Sequence, residues 1–172
     1  MNVSDLRILV VDSNPGSILL WRQVFGILNV KSLMVITDGD AAIDQLYLDR
    51  YSAVLCSDQI KCSSGETFAH MARRSPGILA PMVPIFLVTG KPRRRDIERA
   101  RDLGYTDVIA LPVSAGTVVR KLQGALGKPR PFIAAGEFFG PDRRSGVRPP
   151  FRGSDRRTRA PRKVRVSVPS EA

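Results

Sequence analysis

Apolar residues over the first 126 positions fall in short blocks, and the blocks alternate between two periods. Arg7-Ile8-Leu9-Val10-Val11 is a β-branched run closed by Asp12. A run apolar at every position suits a central strand of a parallel sheet, which is buried on both faces. Asn14-Pro15-Gly16 then turns the chain, its proline suited to the first turn of a helix. Ile18, Leu19, Trp21, Val24, Phe25 and Leu28 recur at helical spacing, with Asn29 as the expected stop. Val30 to Ile36 predicts a second strand. Asp38 to Tyr47 predicts a helix capped by Asp38, with Ala42, Ile43 and Leu46 facing inward.

The unit repeats. Strands are expected at Ala53–Cys56, Val83–Val88 and Asp107–Ala110, and helices at Gly65–Arg74, Arg93–Leu103 and Ser114–Leu126. Five strands alternating with five helices predict an α/β fold, a five-stranded parallel doubly wound sheet of flavodoxin type spanning residues 5–126. In such folds ligands and chemistry lie beyond the carboxyl ends of the strands. Those positions are Asp12, Ser57, Thr89 and Leu111.

After Leu126 the periodicity stops. Residues 127–172 are dense in Pro, Gly, Arg and Ser, which predicts a largely disordered basic tail. Charge sharpens the division. Residues 1–128 carry 16 lysines and arginines against 12 acids, whereas residues 129–172 carry 11 against 4, so the tail holds most of the net +11. That asymmetry points to an anionic partner for the tail.

Other classes are set aside by what the chain lacks. Cys56 and Cys62 form no disulfide framework and no metal-ligand spacing, and are expected as buried thiols. No basic and apolar leader opens the chain, and no run nears the roughly 20 residues of a membrane helix. A soluble, cytoplasmic protein without membrane insertion is the expectation. His70 stands alone and is expected to be a packing or surface residue.

The strand ends carry a resemblance. Arg7–Asp12, Tyr51–Ser57 with Gly65 eight residues beyond Ser57, Leu87-Val88-Thr89-Gly90, and Gly104–Asp107 through Leu111-Pro112 resemble the landmarks of response-regulator receiver (CheY-like) domains. That resemblance implies two-component phosphorelay signalling. It also implies a phosphotransfer pocket needing an aspartate nucleophile, an acidic pair for Mg²⁺ and a lysine. Here the acidic pair is Asp12-Ser13, the nucleophile position is Ser57 and the lysine position is Leu111. Mg²⁺ wants several hard oxygen ligands, and a serine without an adjacent base is a weak nucleophile. Asp58 sits one residue late and, by strand alternation, is expected to point away from the pocket. Thr89 keeps the switch hydroxyl. The pocket of Asp12, Ser13, Ser57, Asp58, Thr89 and Leu111 is therefore expected to be degenerate, a pseudo-receiver with no catalytic residue, no bound metal and no enzymatic activity.

The tail repeats a pattern. Gly140-Pro141-Asp142-Arg143-Arg144 is echoed by Gly153-Ser154-Asp155-Arg156-Arg157, 13 residues on. An aspartate would weaken a clamp made only for phosphates. It suits a ligand carrying guanine bases as well, because an arginine fork pairs with guanine O6 and N7 and stacks on the base. A carboxylate can accept from guanine N1–H and the amino group, while neighbouring arginines pair with phosphates.

Phe139-Gly140-Pro141-Asp142-Arg143-Arg144 after a receiver-like domain is similar to the arginine-rich segment of the cyclic di-GMP-binding CheY-like (Cle) proteins, which act at the flagellar motor and in surface attachment. The resemblance implies Asp142, Arg143, Arg144, Arg148, Asp155, Arg156 and Arg157 as nucleotide-binding residues, and cyclic di-GMP as the ligand with no further cofactor. A signalling protein, either a motor component or a histidine kinase, is the implied partner. The family's usual meeting face would place Arg101, Tyr105 and Arg120 near it. Two alternatives stay open: a constitutive interaction scaffold with an idle tail, and binding of nucleic acid or an anionic surface through phosphate contacts alone.

Overall fold

The computed structural model describes residues 2–136, 138–142 and 162–164. Strands β1 (Arg7–Val11), β2 (Ser32–Ile36), β3 (Ala53–Ser57), β4 (Ile85–Thr89) and β5 (Asp107–Ala110) pair in parallel in the order β2-β1-β3-β4-β5. Helices α1 (Pro15–Ile27), α2 (Gly39–Leu48), α3 (Phe68–Arg74), α4 (Arg94–Asp102) and α5 (Ala115–Gly127) connect and cover them. The doubly wound five-stranded sheet expected from the periodicity is the observed one.

The central strands show why every position had to be apolar. In β1, Ile8 and Val10 join a core with Trp21, Phe25, Val118 and Leu122 from α1 and α5. Leu9 and Val11 point the other way, into a core with Ile43, Leu46, Phe68 and Ala100 from α2, α3 and α4. The two-residue pleat thus divides one strand between two cores. Local signals set the helix ends: Asn14 and Asp38 accept from the backbone N–H groups of Ser17 and Ala41, at 3.0 and 2.8 Å. Asn29 follows α1 at φ 53°, a left-handed conformation asparagine tolerates.

Beyond α5 the structure departs from the expectation. β6 (Phe132–Ala135), β7 (Phe138–Pro141) and β8 (Arg162–Val164) form a second, antiparallel sheet in the order β7-β6-β8. These strands are three or four residues long and lie among Pro, Gly and Arg, too short for a period to show.

Their fixed point on the body is Arg73, in the last turn of α3. Its guanidinium sits over the Phe132 ring, 4.9 Å from the centroid, and donates to the carbonyls of Gly104 at 3.2 Å and Pro81 at 2.5 Å. Phe132 also meets Phe139, with ring centroids 5.4 Å apart. Close approach is possible because glycine faces glycine: a Cβ on Gly140 would lie 3.2 Å from the Gly104 Cα. Burial pushes Arg73 down to about 9, still above neutral pH, so the guanidinium stays charged.

The cysteines are buried and free. Burial pushes the Cys56 thiol far up, and burial with the nearby Asp40 carboxylate pushes Cys62 up to about 11. Two outcomes are expected. Phe132→Ala should cost about 3 kcal/mol by urea unfolding, the usual size for a buried aromatic, and should speed hydrogen exchange at the Asp142 amide. The folded state keeps the Cys62 proton that the unfolded chain releases near pH 9, so Cys62 should make stability fall between about pH 9 and 11. Arg73 acts in the opposite sense, so the measurement is the difference in urea midpoint between the natural chain and Cys62→Ser across that range.

Candidate functional site

The carboxyl ends of β1, β3, β4 and β5 bring the expected pocket residues to one edge of the sheet. Asp12 follows β1 and is almost wholly buried, its Oδ1 accepting from the Asn14 N–H at 3.0 Å. That local hydrogen bond turns the chain into α1 and holds the carboxylate at the sheet edge. β1 and β3 are register partners at Val11 and Cys56, which puts Asp12 and Ser57 side by side. Ser57 is buried, and its Oγ accepts from the Gln59 N–H at 3.3 Å. Ser13 is exposed.

Asp58 is not where strand alternation put it. Its Oδ2 accepts from the Thr89 hydroxyl at 2.6 Å, so the carboxylate faces the pocket. β3 ends at Ser57, and the Ile60 N–H donates to the Ser57 carbonyl in a turn, so the pleat no longer dictates direction. The Gln59 side chain donates to the other carboxylate oxygen at 3.1 Å. Thr89 is buried, and its Oγ1 also accepts from the Lys91 N–H at 3.2 Å. A hydroxyl that donates to one partner and accepts from another has a fixed orientation.

Leu111 adds no charge. It packs against the core that holds Phe86, Val88 and Ile109, and a cis peptide bond links it to Pro112. The donor set is therefore two carboxylates, two serines and a threonine around an apolar side chain. Among the described residues no three acidic, histidine or cysteine side chains gather as a metal site. Mg²⁺-assisted phosphoryl transfer uses hard-oxygen ligands and a preplaced cation, and the expected lysine position here holds Leu111.

The other expected residues divide. His70 is half-buried and pairs with Glu66 one turn away, at 3.0 Å. Arg101 and Arg120 are exposed, but Tyr105 is buried and cannot serve an outer face. Its hydroxyl lies in the core beside Cys56, where burial holds it protonated. Asp142 is anchored through its backbone, the N–H donating to the Pro131 carbonyl at 2.7 Å. Arg143, Arg144, Arg148, Asp155, Arg156 and Arg157 lie outside the described residues.

Arg73 escaped the sequence reading. The signal was present: it falls four residues after Ala69 on the stripe that also buries Phe68 and Ala72. A charge on an apolar stripe asks for a partner.

Solved structures place this geometry. The receiver domain of a sensor histidine kinase from Pseudomonas aeruginosa, solved with magnesium in its active-site cleft, has a TM-score of 0.62 at 23% identity, covering 72% of this chain and 99% of that one. A putative response regulator from Chloroflexus aurantiacus gives 0.62 at 20% identity, over 72% and 99%. A chemotaxis response regulator of Vibrio cholerae gives 0.61 at 16% identity, over 71% and 99%. The fold is that of a receiver domain. No family model matches the sequence, and no curated protein does.

The donor set carries an expected result. Incubation with acetyl phosphate and Mg²⁺ should leave the intact mass unchanged. A phosphoryl-sized gain that disappears in Asp58→Asn would show that the carboxylate beside Thr89 serves as the acceptor.

Proposed function

We propose that this protein is a non-enzymatic signalling adaptor. Its receiver fold presents a surface to a protein partner, and its arginine-rich segment captures cyclic di-GMP. The observation that carries the reading is the pair of Gly-x-Asp-Arg-Arg units, 13 residues apart. Carboxylate and guanidinium together match guanine edges and phosphates, and a doubled unit suits a two-fold ligand with several guanines. Asp142, Arg143, Arg144, Asp155, Arg156 and Arg157 are the proposed contacts, with Arg148 beside them.

The second sheet supports this reading. β7 and β8 both pair with β6, one on each side. The described strands that flank residues 143–161, β7 ending at Pro141 and β8 beginning at Arg162, are therefore both held to β6. Fixed flanking strands lower the closure entropy that a ligand contacting both units must overcome. A ligand that binds only the ordered form shifts the population toward it, and the anchored strands would pass that change to Phe132 and Arg73.

In this reading the strand-end pocket does not run the usual aspartate phosphorylation, because Ser57 and Leu111 occupy the nucleophile and lysine positions. Receiver domains of a histidine kinase and of a chemotaxis regulator are among the structural neighbours. A kinase or a flagellar motor component is accordingly the proposed partner class. A second reading rests on one contact, Asp58 to Thr89, which leaves a carboxylate facing the pocket and makes Asp58 an alternative acceptor.

Calorimetric titration separates the readings of the segment. Cyclic di-GMP should bind at micromolar concentration or tighter, survive moderate salt, and lose binding at least a hundredfold in Arg144→Ala with Arg157→Ala. Preference for a random oligonucleotide with a steep salt slope would assign the segment to nucleic acid. No heat with either would leave a scaffold.

A further inference from the structure

The amino-terminal ends of the strands, opposite the pocket of Asp12 and Thr89, bound a groove of about 890 Å³. Its wall is apolar, built from Leu79, Met82, Val83, Leu126, Phe132 and Pro141. The second sheet thus completes a concavity that the five-stranded body alone would leave open. Cations stand at both ends. Arg7 and Arg50 lie where β1 and β3 begin, and Arg130 lies beyond α5. A smaller hollow of about 400 Å³ continues from it, sharing Thr106, Ala125 and Arg130 and adding Arg120, Lys121 and Lys128.

Most of this charge is uncommitted. Arg7 pairs with Asp49, and Lys121 with Asp107 at 2.5 Å. Arg50, Arg120, Lys128 and Arg130 make no ion pair among the described residues. Behind the wall, Arg73 touches two groove residues, the Phe132 ring and the Pro81 carbonyl. Its Nη2 is buried without a hydrogen-bond partner among the described residues. A buried cation with no ion pair among the described residues makes the groove favourable to negative charge.

The placement of the charges selects the occupant. A lipid-like amphiphile needs a cation at one end of an apolar slot. Here uncommitted cations flank the apolar wall on two sides, Arg50 ahead of β3 and Arg130 with Lys128 beyond α5. We propose that this groove docks an acidic helical segment of a partner protein, its apolar stripe on Leu79, Met82 and Leu126 and its carboxylates reaching Arg50 at one end and Arg130 with Lys128 at the other. The mode is a helix laid in a groove, read at positions i, i+3, i+4 and i+7. It uses the end of the sheet opposite the strand-end pocket, and it stands whether or not the arginine-rich segment binds a nucleotide.

The test is selection of displayed random peptides on the full chain, followed by fluorescence anisotropy with the enriched peptide. The expected consensus alternates apolar residues at helical spacing with Asp or Glu at both ends. Binding should weaken at least tenfold in Arg50→Glu and in Arg130→Glu with Lys128→Glu. A peptide with lysine at the matching end should restore it. These side chains are exposed, so unchanged circular dichroism and melting will certify the variants. Three outcomes would overturn the proposal: no consensus, equal binding to all variants, or displacement of the peptide by dodecanoate at a concentration below the peptide's own Kd. Cross-links from Met82→Cys to residues 143–161 that the peptide does not displace would give the groove to the chain itself, and would also overturn it.

Discussion

Everything in this fold follows from burying β1 and β3 on both faces. A strand covered by helices on either side must be apolar throughout, and its backbone polar groups are consumed by neighbouring strands. Polar side chains are admitted only where the strand stops, which is why Asp12, Ser57, Asp58 and Thr89 share one edge. The same constraint acts at the other end of the sheet. There the strand starts would lie bare, and loops, the end of α5 and a second sheet gather around them. The two ends therefore have opposite characters: a small polar pocket with carboxylates at one, and a broad apolar groove with guanidiniums at the other.

The body was legible because its signals are repeated and redundant. Ile8, Leu9, Val10 and Val11 report a doubly buried strand whatever their exact order, and Asn14 and Asp38 mark helix starts through a hydrogen bond each makes alone. Of the second sheet only residues 162–166 show a strand-like alternation in the sequence, and β8 begins there. Phe132 and Phe139 are two aromatics in a stretch of prolines, glycines and arginines, and what organises them is a tertiary contact with Arg73, some sixty positions earlier in the chain. No local pattern carries that information.

The candidate pocket's residues were nameable from the sequence, and one of them was given the wrong direction. Ser13, Ser57 and Leu111 are visible in the sequence and settle which donors are absent. The orientation of Asp58 was not visible, since alternation holds inside a strand and lapses at the turn that ends it. Its hydrogen bond to Thr89 makes the pocket a closed polar arrangement in which the hydroxyl already has an anionic acceptor. Tyr105 was misplaced for a related reason: position near a surface element does not say which way a ring turns, and this one turns inward to Cys56.

The contact between Gly104 and Gly140 reaches further than its size suggests. Two bare backbones meet there, so the gap between body and second sheet is as small as main chain allows. A methyl group on Gly140 would press on the Gly104 Cα at 3.2 Å, and one on Gly104 would press on the Arg73 side chain at 2.9 Å, so each disturbs the contact that holds Phe132 against Arg73. The two positions are therefore held to glycine for different reasons. Gly140 is bound by the docked sheet, and a descendant that lost the sheet could change it, whereas Gly104, at φ 90° and against Arg73, would stay constrained by the body alone.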